Sequence, residues 1–134
     1  MTYALPTLRA GLTGSAELTV AAEHTAPHVG SGVVKVLATP VLVNLLEAAA
    51  LDAVERHVAP GHQTVGIHLD VRHFAATPVG MRVRATAEVL RVEGRTIYFK
   101  VRADDERELI GEGTHERVVV NVERFDQRVQ KKLP

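Results

Sequence analysis

Cysteine is missing from this chain altogether. Its absence excludes disulfides, a thiol nucleophile and zinc sites built on thiolates. Neither sign of charge is in excess, because sixteen basic residues balance sixteen acidic ones. A neutral chain offers no overall basic field, so neither nucleic acid nor an anionic membrane is an expected partner. Long apolar runs are missing too, since nothing approaches the ~20 residues of a membrane span. The opening Met1-Thr2-Tyr3-Ala4-Leu5-Pro6 lacks the charged start and apolar stretch of a signal peptide. Together these absences lead to the expectation of a soluble, cytoplasmic protein.

What is present suits one ordinary domain. The chain has 134 residues, 46% of them apolar and 24% charged. That length buries roughly two-thirds of the unfolded surface, and the expected domain runs over 1–134 with a basic tail from about 123.

Period-two alternation marks a first strand from Ser15 to Ala22, followed by a loop rich in Gly, Pro and His to about Ser31. A helix opens at Thr39-Pro40, where threonine is a good N-cap and proline suits the first helical position. It continues without glycine to about His57, and Ala59-Pro60-Gly61 stops it. Period two then returns. Ile67, Leu69, Val71 and His73 share one strand face, and residues 75–80 turn the chain. Strands follow over 81–89 and 97–103, joined by a hairpin turn at Val92-Glu93-Gly94-Arg95. A last strand runs from Leu109 to Val122.

One strand, one helix and four strands with short connections make an α+β arrangement around an antiparallel sheet. Between Pro40 and Leu51 only Asn44 and Glu47 are polar, so nearly the whole circumference of the helix needs cover. A curved sheet wrapped around one long central helix provides it. This is the hotdog fold, usually completed by pairing two sheets edge to edge, and a homodimer is expected.

Several segments then carry a family resemblance. Val36-Leu37-Ala38-Thr39-Pro40 and Leu45-Leu46-Glu47-Ala48-Ala49 resemble the helix start of the fluoroacetyl-CoA thioesterase family. Thr64-Val65-Gly66 and the stretch from Val71 to Gly80 are similar to its next strand and turn. Val92-Glu93-Gly94-Arg95 and the run from Ile110 to Arg117 resemble its later segments. The likeness spans about residues 36 to 128, in order. It implies thioester hydrolysis with an acyl-CoA substrate of small or medium acyl group, and no cofactor beyond the coenzyme A that the substrate carries. It implies a catalytic set falling on Thr39, Glu47 and His73, with Gly66 beside the thioester and a polar substrate-binding role for Arg117. It also implies an aromatic-lined lid before the helix. Here the stretch from Ala26 to Val36 is short and holds no aromatic residue, so a strong preference for fluoroacetyl-CoA is not expected.

The same residues can be read without the family. A carboxylate on an apolar helix is costly unless paired, so Glu47 is either a structural partner of an arginine or histidine, or a working group. His73 closes an apolar strand face, where a core histidine is the commoner finding; Thr39, Glu47 and His73 all facing one helix–sheet seam changes that balance. Capping alone accounts for Thr39, although a helix N-terminus also suits a thioester oxygen gaining charge. Gly66 marks a bulge or a close backbone approach. Gly111 and Gly113 suggest helix packing, and Arg117 is also explicable as an ion-pair partner. His24 and His28 are four apart with Pro27 between them, a poor basis for a metal site. Two other functions stay open: a non-catalytic acyl-CoA-binding protein, and a hotdog hydratase or dehydratase, although the glycine-asparagine-proline segment the latter needs is absent.

Overall fold

The computed structural model describes residues 2–134. Five strands, β1 (Thr13–Thr19), β2 (His62–His73), β3 (Arg82–Glu93), β4 (Thr96–Asp105) and β5 (Leu109–Asn121), form one antiparallel sheet. Their order is β1-β3-β4-β5-β2. Helix α1 (Ala26–Val29) is a single turn, α2 (Thr39–Val54) is the long helix, and α3 (Val122–Gln130) closes the chain. The sheet curls around α2, which is the hotdog architecture expected above.

Alternation explains why the sheet has one dry face. Val83, Ala85, Ala87 and Val89 of β3 are buried against the helix with Ile97, Phe99, Val101 and Ala103 of β4. Leu42, Leu46, Ala49, Ala50 and Ala53 of α2 meet them. Small residues let helix and sheet approach closely. At Gly14 of β1 a Cβ would run into the backbone of Ala49 and Ala53, so only glycine fits there. Gly94 turns the β3–β4 hairpin at φ 59°, a left-handed conformation that glycine adopts at little cost. Truncating Leu42 or Leu46 to alanine should cost ~2–5 kcal/mol.

Several boundaries differ from the sequence expectation. β1 begins two residues early and ends at Thr19, because Ala22–His24 winds into a 3-10 turn. β2 begins at His62, five residues before the alternation is visible. The basic tail is a helix: the Asn121 side chain accepts from the Arg124 amide at 3.1 Å and caps α3.

The helix is also less covered than its composition suggests. Asn44 and Ala48 are exposed, and Val41, Glu47 and Leu51 are only half-buried. These residues form one stripe along α2. The chain alone leaves that stripe open, beside the edge strand β2, where Ile67 is 53% and Leu69 37% exposed. Among the described residues no helix is long and apolar enough to cross a membrane.

Candidate active site

The first cluster lies at the start of α2. The cap here is Ala38, whose carbonyl accepts from the Val41 and Leu42 amides at 3.1 and 3.0 Å. Thr39 is therefore not the N-cap that the sequence suggests; the helix starts one residue earlier and frees its hydroxyl. The Thr39 Oγ1 lies 2.8 Å from Nδ1 of His73, the last residue of β2. The other ring nitrogen, Nε2, is buried, and among the described residues no hydrogen-bond partner is found for it. Burial holds the His73 imidazole below its ordinary pKa, because desolvation disfavours the charged form and outweighs a backbone hydrogen bond at Ala75 that acts the other way. The pair opens into a cleft of about 300 Å³ bordered by Ala26, Ser31, Phe74 and Ala76.

The second cluster sits two turns further along the helix. Arg117 on β5 is nearly buried, and its Nε donates to Thr64 Oγ1 at 2.8 Å. One terminal nitrogen donates to the Thr64 carbonyl at 3.1 Å. The other lies 3.2 Å from Nε2 of His115 and 3.4 Å from the Glu47 carboxylate. The Glu47 side chain is 36% exposed against 8% for Arg117. The charge pair therefore has a dry side and a wet side, with the carboxylate on the wet one.

A bulge in β2 makes this arrangement possible. Gly66 pairs with Arg117, whereas His68 pairs with Glu116, so Ile67 has no partner across the ladder. Before the bulge, Thr64 and Gly66 face the helix; after it, Leu69, Val71 and His73 do. Gly66 and His73 are seven residues apart, so a regular strand would put them on opposite faces. The bulge brings both to the inner face and turns Ile67 out of the expected phase. A Cβ on Gly66 would stand 2.5 Å from Glu47 Oε2 and 3.2 Å from the His115 ring. The missing side chain is the space that the carboxylate occupies.

The expected residues thus form two groups. Thr39 meets His73, and Glu47 meets Arg117 beside Gly66. Thr39, Glu47 and His73 all border the seam between α2 and β2, but within a single chain they do so at two separate places. Eight residues separate Thr39 from Glu47, which is ~12 Å along a helix axis. Gly113 also departs from its expected role, because a Cβ there would strike the backbone of Asp70 and Val71 on the neighbouring strand and not the helix. Sequence reasoning passed over Thr64 and His115 as members of the site. The signal for His115 was its place two residues before Arg117, on the same strand face.

Comparison with known proteins shows the family and the fold. A family model described as fluoroacetyl-CoA-specific thioesterase matches residues 20–123. The fluoroacetyl-CoA thioesterase of Streptantibioticus cattleyicolor is 42% identical over 100 residues, covering 75% of this chain and 72% of that one. A solved structure of a fluoroacetyl-CoA thioesterase superposes with a TM-score of 0.89 at 35% identity, covering 95% of this chain and 98% of the other. A thioesterase superfamily member from Thermus thermophilus follows at 0.86 and 28% identity, covering 96% and 97%.

Proposed function

The chain belongs to the family of fluoroacetyl-CoA-specific thioesterases, and we propose that it hydrolyses acyl-CoA thioesters of small or medium acyl groups at sites shared between two subunits. The observation that carries this reading is the division of the site. Thr39 and His73 have an unsatisfied nitrogen and an open cleft but no carboxylate. Glu47 has a carboxylate in the space that Gly66 leaves, but no hydrogen bond to His73, whose partner is Thr39. Two chains related by a two-fold axis, paired along β2, would bring each half to the other. The same pairing would cover the exposed edge and the open stripe of α2, both of which a lone chain leaves to water.

The chemistry follows from the groups. Glu47 either attacks the thioester carbon, giving an anhydride that water then opens, or takes a proton from a water that attacks directly. In both routes the C–S bond breaks, the coenzyme A thiolate gains a proton, and the acyl group leaves as a carboxylic acid. His73 is neutral and its Nε2 is free to hold or pass that proton. Thr39 fixes the ring through Nδ1, and the helix N-terminus next to it favours an oxygen gaining negative charge. Arg117 keeps the Glu47 carboxylate oriented. Coenzyme A enters as part of the substrate.

The test is thiol release from a panel of acyl-CoAs, together with sedimentation at micromolar concentration. Hydrolysis by a dimer is expected. Fluoroacetyl-CoA should not be strongly preferred to acetyl-CoA, because a pocket without an aromatic lid gains only ~1–3 kcal/mol from one small apolar difference. Binding without thiol release would identify an acyl-CoA-binding protein instead, and an active species of 14.5 kDa would refute the shared site.

A further inference from the structure

His115 takes no part in the reaction outlined above, yet it is completely buried beside the groups that do. Its ring stacks on Phe99 with centroids 5.7 Å apart. Nδ1 lies 2.8 Å from the carbonyl oxygen of His68, the first paired residue after the β2 bulge. Nε2 lies 3.2 Å from a terminal nitrogen of Arg117.

These two neighbours decide the state of the ring. A carbonyl can only accept, so Nδ1 carries the hydrogen; a guanidinium can only donate, so Nε2 presents its lone pair. A proton on Nε2 would set N–H against N–H and one cation against another. Burial, and then the Arg117 charge, both push the imidazole pKa down. The bond to the His68 carbonyl, and after it Glu47 and Glu116, pull the other way, but the carbonyl bond falls on Nδ1 and neither carboxylate bonds the ring.

The consequence reaches Glu47. Thr64 Oγ1, the Thr64 carbonyl and His115 Nε2 together give the guanidinium three neutral acceptors. They hold its plane and leave one edge facing the carboxylate. We propose that His115, held as the neutral Nδ1–H tautomer, is a positioning residue that fixes the Arg117 guanidinium and through it the Glu47 carboxylate, tying both to the bulge that carries Gly66. This rests on the reading of Glu47 and Arg117 as site residues.

Three variants and one spectroscopic measurement test it. His115→Phe keeps the stack on Phe99 but loses both hydrogen bonds. His115→Gln places an amide oxygen where Nε2 stands, and His115→Asn places an amide nitrogen near the position of Nδ1. His115→Phe should lower kcat for acetyl-CoA hydrolysis roughly ten- to a hundred-fold, as expected for a lost hydrogen bond to a charged group, with KM little changed. His115→Gln should recover most of that loss and His115→Asn little of it. Parent-like kcat in His115→Phe would overturn the proposal, as would equal recovery by Asn and Gln, or losses that only follow the folded fraction in thermal melts. Should His115→Phe fail to fold, the contrast between Gln and Asn decides. Nitrogen-15 spectra of the parent protein should show the neutral Nδ1–H tautomer at pH 7, and the other tautomer or an imidazolium would refute the inference whether or not any thioester is hydrolysed. A parent enzyme releasing no thiol would refute the functional reading, while the tautomer would still be read directly.

Discussion

The two ends of the working helix face are built in opposite ways. At Glu47 the polar groups nearly saturate one another: Arg117 makes four close contacts, and both nitrogens of His115 are engaged. At Thr39 one side-chain hydrogen bond holds His73, and for the remaining, buried ring nitrogen no partner is found among the described residues. Buried polar atoms without partners are rare because each forfeits its hydration. One end therefore has the character of a rigid mount and the other of a half-empty socket. A shared site needs both: a carboxylate held in place, and a nitrogen still free to handle a proton.

The largest expected effect comes from breaking the mount at its charged tip. Glu47→Gln should lower kcat ~100-fold or more, the scale of a lost general base or nucleophile. The protein should stay folded, because Thr64 and His115 still satisfy most of the guanidinium. A folded and fully active Glu47→Gln protein would reduce Glu47 to a structural ion-pair partner.

Next comes the test that joins the two ends across subunits. Thr39→Ala and Glu47→Gln proteins should each be nearly inactive alone. After subunit exchange at equal amounts, half of the dimers are mixed and each carries one intact site, so activity should return to about a quarter of the parent level. Demonstrated exchange without recovery would place the whole site in one chain.

Gly66→Ala sharpens the comparison with a smaller change. The new methyl would stand 2.5 Å from the Glu47 carboxylate, which must swing away from its mount. A fall in kcat of about tenfold is expected, on the scale of a misplaced reacting group. The melting temperature should change little, since the displaced group is the half-exposed end of a flexible side chain. A loss of folding without a loss of specific activity would show that glycine serves the bulge alone.

The smallest effect is on stability against pH. His73 and His115 have folded pKa values below their ordinary 6.5, through burial in both cases. The unfolded chain then binds more protons than the folded one below pH 6.5. Stability is complete above that value and declines as pH falls toward the lower folded pKa values. Thermal melts between pH 7.5 and pH 5 should show a fall of a few degrees, reduced in His115→Phe. A melting temperature that is flat or rises on acidification would contradict neutral burial of both rings.

Much of this molecule is legible in one dimension. The alternation in β3 and β4 and the apolar run from Pro40 to Val54 depend on periodicity, which local sequence records directly. They were enough for an antiparallel sheet wrapped around a helix. The members of the site were legible mainly through resemblance: a lone glutamate on an apolar helix signals expense, and expense alone does not distinguish a structural pair from a catalyst.

What only the tertiary structure decided is phase and pairing. Gly66 raises the prospect of a bulge or a close approach, but which of the two occurs, and at which position the ladder slips, depends on how β5 lies alongside. That single irregularity puts Gly66 and His73 on the same face. Thr39 is a cap by composition, yet Ala38 takes that place because the chain enters the helix one residue sooner. His115 is one polar residue in an alternating strand until β2 and Phe99 close around it and give each ring nitrogen one possible partner. The sequence by itself determined which elements form and which face of each is apolar, because those follow from neighbours along the chain. The fold decided which side chains meet, because hydrogen-bond partners 47, 53 and 70 residues apart are set by register and burial that no local pattern encodes.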